Sequence, residues 1–239
     1  MMTRRVWLPS VLALILTSCD AGTLGIHVPR GGHAQLHPSI FKRDLWRMTD
    51  PRIGGRAPGS SGARRVAQYI AERLESQNLR PVFDGSYRRD LGKNVGEMVC
   101  GVRQGSGEDA LVVAALDPGI GTLSAIPIAG VLSLAATFSA PVAPMHSIYF
   151  CVLPEAGGLS RLATRGPVDF QRVLETFIIG TLSGSSLKEE PGPTLGPVKS
   201  VLLHTGPLAI DMTDDIGQLD YQVLIESVGA VYSRVSSVD

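Results

Sequence analysis

Residues 110–117 read ALVVAALD and are apolar from Ala110 to Leu116, and this segment is the strongest indication of the fold class in the chain. An antiparallel strand with one face in water alternates apolar and polar residues, whereas a parallel strand covered on both faces is apolar throughout. The uninterrupted run therefore predicts a buried strand of a parallel sheet, with Asp117 at its carboxyl end.

Helices and further strands are predicted on both sides of this run. Apolar residues at a spacing of three and four predict a helix capped by Ser60 or Ser61, with Val66, Ala67, Ile70, Ala71 and Leu74 on its apolar face. A buried helix is predicted over 126–138, with Pro127 in its first turn. The other predicted elements are strands over 94–102, 147–153, 177–182 and 201–204, a short helix over 169–175, a loop over 184–199, and a last helix with Ile216, Leu219, Val223, Leu224, Val228 and Val231 on one face. The alternation predicts an α/β fold: a three-layer sandwich with a mostly parallel mixed sheet flanked by helices.

The composition favours one globular domain and argues against a nucleic-acid partner. The chain has 239 residues, of which 44% are apolar, and this is enough to form the core of a single domain. Its 22 Lys and Arg are balanced by 22 Asp and Glu, without a basic block. A nucleic-acid surface needs clustered basic residues that displace counterions. We therefore expect no nucleic-acid binding.

The amino-terminal segment has the features of a lipoprotein signal. Arg4 and Arg5 precede an apolar run over 6–16, which is too short to span a bilayer. The ending Leu16-Thr17-Ser18-Cys19 resembles a bacterial lipobox, in which the cysteine carries the lipid; the alternative is a plain signal peptide with an incidental cysteine. The predicted organisation is a signal peptide over 1–18, a tether with a lipidated (palmitate-bearing) Cys19 over 19–38, and one domain over 39–239.

This leader predicts a lipid-anchored protein of the bacterial cell envelope that faces the periplasm. Asp20 resembles a signal that retains lipoproteins at the inner membrane, and the outer membrane is the alternative. In such an oxidising compartment disulfides persist. Cys100 and Cys151 both lie in predicted strands, so the sequence is compatible with a disulfide between them and also with two buried thiols.

Five motifs follow one another along the chain. They are GGRAPGSSG at 54–62, NVG at 94–96, VVAALD at 112–117, YFCVLPEAGGL at 149–159, and His204-Thr205 followed by Asp214, Asp215, Leu219 and Asp220. Their order and spacing resemble the zinc aminopeptidase family that also contains glutaminyl cyclases and glutamate carboxypeptidases. The resemblance covers about residues 45–235 and implies the three-layer sandwich of that family.

The resemblance also implies that most of the metal ligands are missing. Enzymes of this family use two zinc ions, and each ion needs about three imidazole, thiolate or carboxylate donors from the protein. Carried over one by one, the family's ligand positions fall on Ala115, near Ile126, on Ala156, near Thr181, and on His204, which alone keeps a ligating side chain. Asp117 matches a residue that orients a ligand, and Glu155 matches the general base. Independently of any alignment, Glu155 is the only acidic residue between Asp117 and Asp169.

These observations predict a degenerate family member with no catalytic residues, no metal site and no cofactor, in which Glu155, Asp117 and His204 are vestiges. The corresponding function is that of a binding or scaffold protein with a partner protein in the cell envelope. The alternative is an active zinc-dependent aminopeptidase that hydrolyses peptides in the periplasm. A third hypothesis is a lipoprotein of a different fold. His204 could also pair with Glu155 as an acid–base couple, although a structural role is the more common one for such a pair.

Overall fold

The structure is a computed structural model that describes residues 36–92, 94–121, 123–139, 143–155, 157–180, 182, 186–193, 195, 198–204, 217 and 219–239. The helices in this part of the chain are α1 (Pro38–Thr49), α2 (Ser61–Ser76), α3 (Ile126–Thr137), α4 (Gly158–Arg165) and α5 (Tyr221–Ser236). The strands are β1 (Arg80–Pro81), β2 (Arg88–Asp90), β3 (Glu97–Arg103), β4 (Ala110–Asp117), β5 (Ser147–Pro154), β6 (Val173–Ile179), β7 (Lys188–Pro191) and β8 (Lys199–His204).

One mixed sheet organises the fold. Its strand order is β1-β3-β5-β4-β6-β8-β7, and β2 also pairs with β3. The four central strands β5, β4, β6 and β8 are parallel, whereas β3 and β7 join them in antiparallel orientation. The predicted α/β class, with helices flanking a mostly parallel mixed sheet, is confirmed.

The two faces of the sheet carry different helices. Successive side chains of a strand point to opposite faces, so Leu111 and Val113 of β4 join one apolar cluster and Val112 and Ala114 join the other. The larger cluster contains side chains from α1, α2, α3 and α5, whereas the smaller one contains Leu162 of α4. This arrangement explains why 110–116 is apolar without interruption.

A buried carboxylate attaches α1 to α2. The side chain of Asp44 is fully buried, and its oxygens accept hydrogen bonds from Nε of Arg73 at 3.1 Å and Oη of Tyr69 at 2.6 Å. Arg43 contacts the same carboxylate at 3.3 Å. The sequence pattern predicts no helix at 38–49, since the predicted tether ends at 38 and the predicted domain begins at 39.

Several local predictions are correct and others are wrong. The helix capped by Ser60 is present, and Ser60 Oγ accepts a hydrogen bond from the Ala63 amide at 3.0 Å. The predicted helix over 169–175 is wrong: only a single 3-10 turn forms at 170–172, and β6 begins at Val173, four residues earlier than predicted. The predicted loop over 184–199 contains β7, whose side chains are all exposed. A strand at the edge of a sheet can be fully charged, and it then lacks the apolar alternation by which strands are recognised.

Cys100 of β3 and Cys151 of β5 are bonded to each other. They are directly opposite in the antiparallel ladder, with their Cα atoms 4.2 Å apart and the two sulfur atoms joined in a disulfide. Both residues are fully buried in the smaller apolar cluster. Of the two possibilities that the sequence left open, the structure has the disulfide.

No helix within the described ranges is long and apolar enough to cross a membrane. The predicted signal peptide, Cys19 and Asp20 lie outside the described residues. Helix α1 begins at Pro38, the last residue of the predicted tether.

Candidate functional site

The carboxyl ends of the parallel strands gather three of the predicted site residues. We call this region, formed by the ends of β4, β5, β6 and β8, the carboxyl edge. Asp117 ends β4, Glu155 follows β5, and His204 ends β8. Asp117 lies opposite Pro154 in the parallel ladder, and the Glu155 amide donates a hydrogen bond to the Asp117 carbonyl at 3.1 Å. The backbone therefore brings Asp117 and Glu155 together, while the Glu155 side chain is exposed to solvent.

A buried arginine binds the Asp117 side chain. Nε of Arg56 lies 3.4 Å from Oδ1 of Asp117, and its Nη2 donates to the Gly121 carbonyl at 2.8 Å and to the hydroxyl of Ser124. The Arg56 side chain is only 5% exposed and the Asp117 side chain 17%. The guanidinium therefore links the carboxyl end of β4 to the segment that leads into α3.

A close backbone approach brings Arg56 to this position. Gly119, in the turn after β4, has a φ of +76°, and a Cβ atom built there would lie 2.7 Å from the Arg56 carbonyl. A side chain at position 119 would push the glycine-rich segment 54–62 away from the turn. The Gly119 amide also donates to Oδ1 of Asp117 at 2.9 Å, which completes the set of donors around this carboxylate.

Two positions where the resemblance implies metal ligands belong to the main core. Ala115 is fully buried and Ile126 is 3% exposed, and both are part of the larger apolar cluster. Ala115 lies between Val152 and Ile179 of the neighbouring strands. Apolar side chains thus lie at the position to which the resemblance assigns an imidazole ligand and near the one to which it assigns a bridging carboxylate. Ala156 and Thr181, at or near which the resemblance implies the other two missing ligands, lie outside the described residues, as do Thr205, Asp214 and Asp215.

His204 contacts a glutamate that the sequence analysis did not single out. Its side chain is 2% exposed, and its Nε2 lies 3.2 Å from Oε1 of Glu190 on β7. An acid–base couple between His204 and Glu155 is not formed. Strands β5 and β8 are separated by β4 and β6, and three interstrand steps of about 4.8 Å place the two strand ends roughly 14 Å apart.

The described residues do not fit a two-zinc site. Each zinc ion needs about three protein donors, and the described part of the chain has no group of three or more His, Cys, Asp or Glu side chains that could hold a metal ion. The carboxylate of Asp117 is bound by Arg56, and a guanidinium beside a carboxylate competes with a metal cation for the same oxygens. We therefore derive no catalytic step through zinc.

The space beside Arg56 is too small for a peptide. A cavity of about 40 Å³ lies between the glycine-rich segment, the start of β3 and the end of β5, lined by Arg56, Asp117, Gly96 and Pro154 among others. Sites for small ligands usually measure roughly 300–1,000 Å³. Among the described residues, this cavity is therefore too small to hold a peptide substrate.

No protein-family model matches the sequence, and no curated protein sequence matches it. Solved structures, in contrast, match over most of their length. A zinc aminopeptidase from Bacillus subtilis is 9% identical with a TM-score of 0.67, and the match covers 85% of this chain and 95% of that chain. A glutaminyl cyclase from Bacteroides thetaiotaomicron is 10% identical with a TM-score of 0.63, covering 84% and 98%. The chain has the fold of the zinc-dependent exopeptidases and glutaminyl cyclases. A Zn-dependent exopeptidase from Parabacteroides distasonis gives the same result, with 9% identity, a TM-score of 0.62 and coverage of 85% and 99%.

The similarity establishes the fold that the motif order implied, and it excludes the hypothesis of a different fold. At such low identity it establishes the fold alone. Sequence reasoning missed the roles of Arg56, Ser124 and Glu190. Arg56 stands within the quoted motif at 54–62, but its partners are 61 and 68 residues away and become neighbours only in the folded chain.

We expect Arg56→Gln to lower the free energy of unfolding by about 2 kcal/mol, because it leaves a largely buried carboxylate without its cationic partner. Urea denaturation measures this quantity. The double variant Arg56→Gln/Asp117→Asn provides the control. If the pair is coupled, the double variant is more stable than the sum of the two single losses predicts. Strict additivity would show that the two side chains do not interact.

Proposed function

We propose that the protein is a membrane-anchored bacterial lipoprotein whose peptidase-like domain is catalytically inactive and acts as a binding or scaffold component of a cell-envelope complex. The observation that carries the proposal is the Arg56–Asp117 pair at the carboxyl edge. The guanidinium of Arg56 binds Asp117, to which the resemblance assigns the role of orienting a ligand of the first zinc ion. The apolar side chains of Ala115 and Ile126 lie at or near positions to which the resemblance assigns two of the zinc ligands.

The substitutions favour a stably folded, inactive domain over an enzyme that has merely lost its metal. Loss of a metal from an intact site would leave several carboxylates buried without a counter-ion, which is costly. Here the carboxylate of Asp117 is not left without a counter-ion, because Arg56 and the Gly119 amide both donate hydrogen bonds to it. His204 similarly has Glu190 beside it. Among the described residues of the carboxyl edge, the Asp117 carboxylate therefore has its counter-ion within the chain itself.

Two observations support export and anchoring. The leader resembles a lipoprotein signal that ends at Cys19. The disulfide between Cys100 and Cys151 is of the kind that persists in an oxidising compartment such as the periplasm and is rare in the bacterial cytosol.

The small volume beside Arg56 favours binding of a partner over turnover of a substrate. A cavity of about 40 Å³ cannot enclose a peptide terminus. Protein partners bind to broader surfaces, which do not require a deep pocket. We therefore place the function on the outer surface of the domain, with a protein of the cell envelope as the partner.

The test is a measurement of zinc and of peptidase activity on the full chain, purified in detergent without a chelator. We expect substoichiometric zinc and no release of amino acids from peptides or of cyclised product from amino-terminal glutaminyl peptides. Glu155→Gln and His204→Ala are the matched variants. Glu155 has an exposed side chain, so Glu155→Gln tests the general base without disturbing the core.

Equal background in the wild type and both variants supports the proposal. Near-stoichiometric zinc, together with hydrolysis that a chelator abolishes and Glu155→Gln reduces, would establish the alternative of an active zinc-dependent aminopeptidase. The Bacillus subtilis aminopeptidase serves as the positive control for the assay.

A further inference from the structure

The neutral net charge conceals a strong local asymmetry. Seven of the 22 Lys and Arg lie within residues 42–65, against only two of the 22 Asp and Glu. Those two acids are already engaged. Asp44 is buried with Arg73 and Tyr69, and Asp50 lies 2.5 Å from Nη2 of Arg52. The hydrogen bonds from Arg52 lower the pKa of Asp50 to about 2, so this pair stays ionised at any physiological pH.

Exposed basic side chains of α1, of the turn after it and of the start of α2 form a surface that we call the basic face. It consists of Lys42 and Arg47 of α1 with Arg52, Arg64 and Arg65, and it includes Trp46 of α1, whose ring centre lies 6.0 Å from Nζ of Lys42. All of them are exposed, and Arg47, Arg52, Arg64 and Arg65 line a shallow surface concavity of about 780 Å³. Glu72 also lines this concavity, and its carboxylate accepts a hydrogen bond from Gln68 at 2.9 Å.

Aromatic side chains lie at one end of the basic face. Trp46 is 48% exposed, and its Nε1 donates to Oη of Tyr221 at 3.2 Å. Nζ of Lys42 lies 5.2 Å from the centre of the Tyr221 ring. Trp and Tyr beside Lys and Arg are the combination enriched at the level of lipid headgroups, where one end of the side chain is apolar and the other is hydrated.

We propose that the basic face binds the anionic headgroups of the bilayer and orients the domain against the membrane surface. Each basic side chain near an anionic surface strengthens binding by about fivefold at low salt. The exposed indole of Trp46 adds a contact with the headgroup region, and binding to an acidic protein in solution would not require that contact. The inference rests on the membrane attachment proposed above. Even fully extended, the chain between Cys19 and Pro38 reaches no further than roughly 65 Å, so a lipid on Cys19 holds the start of α1 within that distance of the bilayer.

The test uses the chain from residue 19 onward with Cys19→Ser, so that neither the apolar leader nor a lipid contributes to binding. Partitioning is measured by sedimentation with vesicles of equal parts phosphatidylglycerol and phosphatidylcholine, and with vesicles of phosphatidylcholine alone. The triple variant Lys42→Gln/Arg47→Gln/Arg64→Gln removes three charges from the basic face. The control Arg165→Gln/Arg172→Gln/Lys188→Gln removes three exposed charges elsewhere, from α4, the turn before β6, and β7.

We expect the first triple variant to bind the anionic vesicles roughly 100-fold more weakly at low salt, whereas the control keeps the wild-type affinity. The wild-type affinity should also fall as salt is added. Without the leader, which contains Trp7, Trp46 is the only tryptophan of the chain, and its emission should shift to the blue when anionic vesicles are added.

Equal binding by the two triple variants would overturn the proposal. Binding to polyglutamate without binding to anionic vesicles would also overturn it, in favour of an acidic protein. Failure of the anchor itself is detected separately, by the absence of palmitate labelling on Cys19 in cells. Vesicle binding by the Cys19→Ser chain does not depend on that result.

Discussion

Asp44→Ala is expected to lower the free energy of unfolding by about 3 kcal/mol, since removing one partner of a buried ion pair leaves the other without compensation. Asp44 is fully buried and is bound by Arg73, Arg43 and Tyr69, whereas the Arg73 side chain is 17% exposed. Partial solvation of Arg73 in the variant keeps the loss near the lower end of the usual range. Urea denaturation measures the change.

The matched control is Glu108→Ala. Glu108 also pairs with an arginine, Arg172, at 2.5 Å, but its side chain is 90% exposed. Exposed ion pairs contribute little, so this variant should be indistinguishable from the wild type. If the two variants lose the same stability, the carboxylate of Asp44 does not hold α1 against α2.

The pKa of Tyr69 provides a second measurement on the side chains that bind Asp44. Burial and the hydrogen bond to Asp44 raise the pKa of Tyr69. A pKa that is higher in the folded than in the unfolded chain gives stability that is complete below the unfolded value of about 10 and is lost as the pH rises further. We expect this alkaline loss to be smaller in Asp44→Ala, because one of its causes has been removed.

Removal of the disulfide is expected to cost about 4 kcal/mol, the largest effect among these predictions. The cross-link joins cysteines 51 residues apart, and a bond that closes a loop of this size restricts the unfolded chain strongly. The double variant Cys100→Ala/Cys151→Ala should therefore unfold at a much lower urea concentration than the oxidised wild type.

The control is the wild type treated with a reductant after unfolding and then refolded, which removes the bond without changing the sequence. Both sulfur atoms are in fully buried residues, so a reductant should act slowly on the native chain. A reduced wild type that is as stable as the oxidised protein would show that the bond contributes nothing to the native state.

The sequence was most informative where a local pattern has one structural solution. The run 110–116 has to be covered on both faces, and the spacing of Val66, Ile70 and Leu74 forms one buried helix face; the structure has both. The order of the five motifs predicted the fold before any structural comparison. The absence of acidic residues between Asp117 and Asp169, apart from Glu155, likewise follows from the sequence alone.

The sequence was least informative where a charged segment folds against a distant one. The segment 184–199 was predicted to be a loop, because an exposed edge strand such as β7 needs no apolar residues. The partners of Arg56 and the contact between His204 and Glu190 depend on which strands become neighbours. Nothing in the local sequence determines that order.

The class of the fold, the buried faces of α2 and β4 and the apolar character of positions 115 and 126 follow from the amino-acid sequence. These properties depend on hydrophobic periodicity and on the chemical identity of single residues. The packing of the folded chain was needed to show that Arg56 binds Asp117, that Cys100 and Cys151 are bonded, and that Arg47, Arg52, Arg64 and Arg65 line one concavity. Ion pairs, disulfides and charged surfaces depend on distances between residues far apart in the chain, and these distances are set when the sheet and its helices pack together.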